Sequence, residues 1–153
     1  MSKAIYFDMD GTLAELYKVP NWLPMLRMEI AKPYEIAEPK VDMTELVDLL
    51  KEIRRNGYTI GVISWLSMGS TKEYDKAVRK AKREWLKANL PIDFDEIHLV
   101  KYGTPKSKVA KVKKSILVDD NGDVCAEWVS RGGIAVSAEP KEWVAELRKV
   151  VGR

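Results

Sequence analysis

The 153-residue chain holds a single cysteine, Cys125, and a single histidine, His98. One cysteine excludes an intramolecular disulfide and fits a reducing compartment. Nothing around Cys125 marks a nucleophile, so burial as a small hydrophobe is the plain expectation. One histidine cannot build a zinc site, and His98 sits in an apolar strand-like run, which points to a structural role. No apolar run is long enough to cross a membrane. No leader is visible, because the first apolar run is short and breaks at Asp8. There is no internal repeat and no low-complexity tract. A cytoplasmic protein is therefore expected. The net charge of +3 is too small to indicate nucleic acid by itself, although basic residues suit phosphate-bearing ligands. With 46% apolar and 32% charged residues, the composition is that of an ordinary folded protein, expected to form one domain over residues 1–153.

What the sequence does have is concentrated first in Tyr6-Phe7-Asp8-Met9-Asp10-Gly11-Thr12-Leu13. The apolar run Ala4–Phe7 reads as a buried strand, and Gly11 lets the chain turn away at its end. Asp8 and Asp10 then lie at the carboxyl end of a strand, where open α/β sheets bind ligands. Two carboxylates so close repel unless a cation or a shared proton intervenes. A divalent oxygen-seeking ion such as Mg²⁺ is the simplest solution. One acid could attack phosphorus while the other handles the leaving-group proton. A strand followed by an Asp-rich turn is the plain alternative.

Further along, strand-like and helix-like segments alternate. Residues 14–40 carry Pro20, Pro24, Pro33 and Pro39 among apolar residues, so only a short helix around Met25–Ala31 is expected there. This stretch leaves the first strand beside the two acids and reads as a small cap or lid insertion, or as packing on the sheet edge. Asp42 caps a helix closed by Gly57, and Tyr58–Ile63 is a strand ending at Ser64. Ser70-Thr71-Lys72-Glu73 reads as a capping box for a helix to about Ala88, whose lysines and arginines, Lys82 among them, read as a solvated face. Asp95–Val100 is a third strand, Pro105–Lys114 a short basic helix and Ser115–Val118 a fourth strand ending in Asp119-Asp120. Val124–Ser130 is helical, Ile134–Val136 is a fifth strand, and Pro140 opens a last helix. The alternation predicts a Rossmann-like α/β three-layer sandwich around a mainly parallel five-stranded sheet. Right-handed crossovers then bring the ends of the strands, with Asp8/Asp10, Ser64 and Asp119/Asp120, to one edge. Adjacent acids ending an apolar strand are costly without a cation, so Asp119-Asp120 is a second metal signal. Asp123 is a reserve acid that could equally cap the next helix.

In order, Asp-x-Asp-Gly-Thr, Ser64, a lysine and Asp-Asp resemble the four motifs of the haloacid dehalogenase-like (HAD) superfamily, most of whose members are phosphatases. The resemblance spans the chain and implies the HAD-like fold with a small or absent cap. It implies that Asp8 is the nucleophile and becomes an aspartyl-phosphate, while Asp10 is the general acid/base. It also implies that Ser64 and a lysine bind the transferring phosphoryl group. Lys106, opening a helix after Gly103-Thr104-Pro105, is the choice for that lysine, with Lys108 and Lys101 as competitors. Mg²⁺ would be held by Asp8, the backbone carbonyl of Asp10, and Asp120, with Asp119 orienting Lys106 or a metal-bound water. Gly11 would offer backbone N–H groups to phosphate, and Thr12 would steady Asp10 or the loop.

The function expected from this reading is Mg²⁺-dependent hydrolysis of a small phosphomonoester. Trp65, directly after Ser64, and Trp22 could stack on a base. The short Asp-Asp domain with a small cap also resembles the 5′-deoxyribonucleotidases, so a nucleoside monophosphate is the leading substrate. Two alternatives stand beside it. One is an enzyme acting on nucleic-acid ends, like the phosphatase portion of polynucleotide kinase. The other is a phosphate-binding module of the same fold without turnover.

Overall fold

A computed structural model describes residues 2–152; Met1 and Arg153, the two ends of the expected domain, lie outside the described residues. Five strands form one parallel sheet: β1 (Lys3–Phe7), β2 (Tyr58–Trp65), β3 (Glu96–Val100), β4 (Ile116–Asp119) and β5 (Ile134–Ser137). Their spatial order is β3-β2-β1-β4-β5. The chain grows outward from β1 through β2 to β3, then crosses back to β4 on the other side of β1. In β1 the side chains alternate between two cores, Ile5 and Phe7 on one face and Ala4 and Tyr6 on the other. Both faces are covered, as a parallel sheet requires. The alternating α/β three-layer fold expected from the strand and helix spacing is the fold observed.

The larger core lies under α3 (Met43–Arg55), α4 (Lys72–Asn89) and α7 (Trp143–Val151), which bury Leu46, Leu50 and Ile53, then Val78 and Trp85, then Trp143 and Leu147. The smaller core lies under α5 (Lys106–Val109) and α6 (Gly122–Ser130), where Val124 and Trp128 pack on Tyr6 and Leu117. Among the described residues no helix is long and apolar enough to cross a membrane.

Several expected boundaries move. The helix expected over Pro105–Lys114 stops after Val109, and the chain leaves it irregularly, with Lys114 at φ 56°. Residues 14–40 contain a 3₁₀ turn at Leu16–Lys18 and two short helices, α1 (Trp22–Arg27) and α2 (Lys32–Ile36), in place of one helix over Met25–Ala31. Pro24 and Pro33 sit in their first turns, where the missing N–H costs nothing, and Glu29 between them takes φ 58°. The cap of α4 is Thr71, whose hydroxyl accepts from the Tyr74 N–H at 3.2 Å, because the Ser70 hydroxyl is turned to the Asp75 carboxylate and the Ser67 carbonyl. Helix α6 begins two residues early because Asn121, not Asp123, caps it. Pro140 lies outside α7, which starts at Trp143.

Candidate active site

Because the chain leaves β1 and β4 toward opposite sides of the sheet, their carboxyl ends open a crevice. The Asp8 N–H donates to the Val118 carbonyl at 2.9 Å and keys the two strand ends together. Past Asp8 the chain curls tightly, the Met9 carbonyl accepting from the N–H groups of Thr12, Leu13 and Ala14 at 3.1, 2.9 and 3.0 Å. Gly11 supplies the positive φ, 84°, that this turn needs. The turn is tied down from outside by Lys40, which donates to the Gly11 carbonyl at 2.7 Å, and by the Trp143 indole, which donates to the Thr12 carbonyl at 3.1 Å.

Lys106 occupies the floor of the crevice, 3% exposed. Its ammonium donates to Asp8 Oδ1 at 3.0 Å and to Asp119 Oδ2 at 2.7 Å. Burial disfavours that charge, but Asp8 and Asp119 outweigh burial and hold the lysine above its ordinary pKa. Lys101 and Lys108 are both exposed. The other oxygen of Asp8 accepts from Thr12 Oγ1 at 3.0 Å, so Thr12 steadies Asp8 and not Asp10. Thr12 is fully buried and offers its hydroxyl to no ligand. The second oxygen of Asp119 accepts from the Asn121 N–H at 3.0 Å.

Carboxylate oxygens of Asp8, Asp119 and Asp120 come within 4.8 Å of one another. Burial, then the charge of Asp8, pushes Asp119 up to about 6 and Asp120 up to about 8. Lys106 compensates Asp8 and Asp119; among the described residues Asp120 has no cationic partner. Three clustered oxygen donors with one uncompensated acid fit a hard divalent cation. The carboxylate of Asp10 stands outside this cluster. Burial raises its pKa, the positive charge of Lys82 works against that, and Asp8 adds to it.

Lys82 is the residue that the sequence reading misplaced. It is not on a solvated face but 1% exposed, beneath the crevice. Its ammonium donates to Asp10 Oδ2 at 2.9 Å, Ser64 Oγ at 2.7 Å and the Trp65 carbonyl at 2.8 Å. Ser64 is therefore fully buried and engaged by Lys82, and does not line the crevice. The signal was available: Lys82 follows Tyr74 and Val78 at four-residue steps on the apolar stripe of α4.

Above the acids the crevice widens into a cavity of about 430 Å³. Residues 14–40 form one wall with Tyr17 and Trp22, whose rings meet edge-on at 5.0 Å; Trp65 and Tyr102 form another, also 5.0 Å apart. The Trp65 indole is locked by donating to the Thr104 carbonyl at 2.8 Å, and its ring lies 5.6 Å from the Lys106 ammonium. The 14–40 wall is fastened to α4 and its approach. The Tyr74 hydroxyl donates to the Ile30 carbonyl at 3.0 Å, the Trp85 indole to the Ala37 carbonyl at 2.7 Å, and Tyr34 and Ser67 share a hydroxyl pair at 2.7 Å.

No family model matches the chain, and no curated protein matches it by sequence. Solved structures do match by fold. A HAD family enzyme of Bacteroides thetaiotaomicron superposes with a TM-score of 0.59 at 13% identity, covering 96% of this chain and 98% of that one. The same enzyme in complex with magnesium and inorganic phosphate gives 0.54 at 12%, covering 90% and 94%. The D,D-heptose 1,7-bisphosphate phosphatase of Burkholderia thailandensis gives 0.57 at 12%, covering 95% and 85%. A predicted HAD-like family hydrolase of Porphyromonas gingivalis gives 0.51 at 15%, covering 100% and 99%. The chain thus shares the fold of HAD family enzymes over nearly its whole length.

Proposed function

We propose that the chain is a Mg²⁺-dependent phosphohydrolase of the HAD type, acting on a phosphomonoester through an aspartyl-phosphate. One observation carries the reading: Asp8, Lys106, Asp119 and Asp120 converge at the carboxyl ends of β1 and β4, with Asp10 two residues beyond the nucleophile. The fold neighbours support it, one of them crystallised with magnesium and inorganic phosphate and another being a sugar bisphosphate phosphatase.

In this reading an Asp8 oxygen attacks phosphorus in line, forming the aspartyl-phosphate as the bond to the leaving oxygen breaks. Asp10 gives that oxygen its proton. Water then attacks the aspartyl-phosphate, Asp10 takes the proton, and inorganic phosphate leaves with Asp8 restored. Lys106 balances the charge on Asp8 and on the transferring phosphoryl oxygens, and the N–H groups of Met9 and Asp10 add donors, whereas the Gly11 N–H, expected to serve phosphate, is spent on the Ala14 carbonyl at 2.8 Å. Mg²⁺, held by Asp8, Asp120 and the Asp10 carbonyl, would neutralise the approach of a phosphate dianion to Asp8. Asp119, with both oxygens engaged, orients Lys106.

The leading substrate is a nucleoside monophosphate. Five aromatic side chains, Tyr17, Trp22, Tyr34, Trp65 and Tyr102, line the cavity that the leaving group must occupy, and residues 14–40 serve as a small cap. A nucleic-acid end is the second reading. It is favoured by the exposed Lys101, which adjoins Tyr102 in the sequence, Tyr102 itself lining the cavity. The test is a panel of phosphorylated metabolites and phosphorylated oligonucleotides with Mg²⁺ present. Nucleoside monophosphates are expected to turn over faster than sugar phosphates. Trp65→Ala is expected to raise KM for nucleotides while sparing p-nitrophenyl phosphate. Equal loss on both would confine Trp65 to packing over Lys106, and no turnover of any phosphomonoester would end the proposal.

A further inference from the structure

We propose that Lys82 is a positioning residue for Asp10: it holds the carboxyl of the acid/base group in the orientation that proton transfer to the leaving oxygen requires. The inference deepens the phosphohydrolase reading and rests on it.

The geometry is specific. An ammonium has three protons and no acceptor. The three short contacts of Lys82 go to three different atoms: a carboxylate oxygen on the β1 turn, the hydroxyl of Ser64 and the main-chain carbonyl of Trp65 at the end of β2. Its donors are thereby spent, so Lys82 has no proton left for a ligand and does not line the cavity. Only Oδ2 of Asp10 is held. Among the described residues no other hydrogen bond reaches that carboxyl, and Asp10 lines the cavity. Oδ1 is left as the oxygen available to a leaving group. The Tyr34 ring stands 5.0 Å from the ammonium and closes its remaining side.

Stability does not account for this arrangement. Taking a lysine out of water is costly, and an apolar residue of similar volume commonly replaces a buried ion pair without loss. The stripe position of Lys82 on α4, between Val78 and Trp85, would accept Met or Leu as core. What an apolar residue would not supply is the link between the turn that carries the acid/base and the end of β2. Without that link the Asp10 carboxyl is free to rotate toward other rotamers. Proton donation needs hydrogen-bond reach at the moment the leaving oxygen departs. A rotated Asp10 therefore costs most where the leaving group needs the proton most.

The test compares Lys82→Met, Lys82→Arg and Asp10→Asn with the wild type in single turnovers on two probes, read as release of the leaving alcohol or phenolate, because the later water step is common to both probes. Ethyl phosphate has a leaving alkoxide that must be protonated; p-nitrophenyl phosphate has a leaving phenolate that needs no acid. Lys82→Met is expected to lose about 100-fold or more on ethyl phosphate, within the range of general acid catalysis, and only a few-fold on p-nitrophenyl phosphate. Asp10→Asn should show the same split, and Lys82→Arg should restore part of it by returning the charged donor. Equal loss on both probes in Lys82→Met, with thermal stability lowered to match, would assign Lys82 to structure and overturn the inference. Should Lys82→Met fail to fold, Lys82→Gln, which keeps a donor of similar shape without the charge, carries the same comparison. A crystal structure of the variant decides independently of turnover: Asp10 in an unchanged rotamer overturns the inference. If the wild type hydrolyses neither probe, the phosphohydrolase reading falls, and the Asp10 rotamer still decides whether Lys82 positions it.

Discussion

Gly11 and Asp120 compete for one space: a Cβ on residue 11 would lie 2.1 Å from Asp120 Oδ2 and 2.9 Å from the Tyr17 ring. Asp120, without a cationic partner among the described residues, is thus seated against the bare backbone of Gly11, directly after the second motif acid. Gly11→Ala must push Asp120 out of the cluster and also strain a backbone at φ 84°. That strain alone costs on the order of 1–3 kcal/mol. The variant is expected to remain folded with a lowered melting temperature and to lose most of its stabilisation by Mg²⁺. Thermal melts with and without Mg²⁺ check this, and a full Mg²⁺ response in Gly11→Ala would mean that Asp120 does not hold the ion.

Asp8→Asn should abolish turnover, because an amide does not attack phosphorus, while the fold survives. In the metal-free protein the change removes a charge that pushes Asp119 and Asp120 upward, which offsets the charge partner that Lys106 loses while the amide oxygen still accepts its hydrogen bond, so the melting temperature in chelator should stay level or rise. Residual phosphatase activity in the purified variant would exclude Asp8 as the nucleophile.

The two adjacent acids should part company on mutation. Asp119 is 1% exposed and shares Lys106 with Asp8, so Asp119→Ala leaves a buried lysine with one partner in place of two. Breaking such a buried pair typically costs about 3–5 kcal/mol, an upper bound here because Asp8 remains. Asp120→Ala strips no partner from Lys106 and should cost little stability, but it should weaken the Mg²⁺-induced rise in melting temperature more than Asp119→Ala does. The same two melts decide the ranking, and a reversed order would exchange the roles of the two acids.

Stability of the metal-free protein should fall as pH rises. Asp120, pushed up to about 8 by burial and then by Asp8, keeps in the folded state a proton that the unfolded chain releases near its ordinary value. The folded state then binds more protons than the unfolded one between those two values. The stability contributed is full below the unfolded pKa and is lost as pH rises through the folded one. Asp119 and Asp10, also raised, act in the same direction. In chelator the melting temperature should decline from about pH 5 to about pH 8. Saturating Mg²⁺, which takes the place of the retained proton, should flatten that decline. A melting temperature that climbs over this range in chelator would contradict it.

By itself the sequence determined the sheet and the position of each motif acid along it. Ala4–Phe7, Tyr58–Ile63 and Ser115–Val118 are apolar runs stopped by polar residues, and parallel strands crossed over by helices carry their ends to one edge whatever the details. Asp8, Asp10, Asp119 and Asp120 could be nominated because charge at the end of a buried strand is expensive and therefore informative, whereas Lys106 could be nominated only by the resemblance to the HAD motifs. Tertiary structure decided what contact alone decides: which oxygen of Asp8 faces Thr12 and which Lys106, that Asp119 is spent on Lys106 while Asp120 meets no cationic side chain among the described residues, and that Ser64 points to a lysine instead of the crevice. Lys82 marks the limit most clearly. Its place four residues after Val78 on the apolar stripe of α4 signals burial, but nothing local says what a buried ammonium meets there. Its acceptors lie 72, 18 and 17 residues away, and only the packing of α4 across the ends of β1 and β2 brings them within reach of one ammonium.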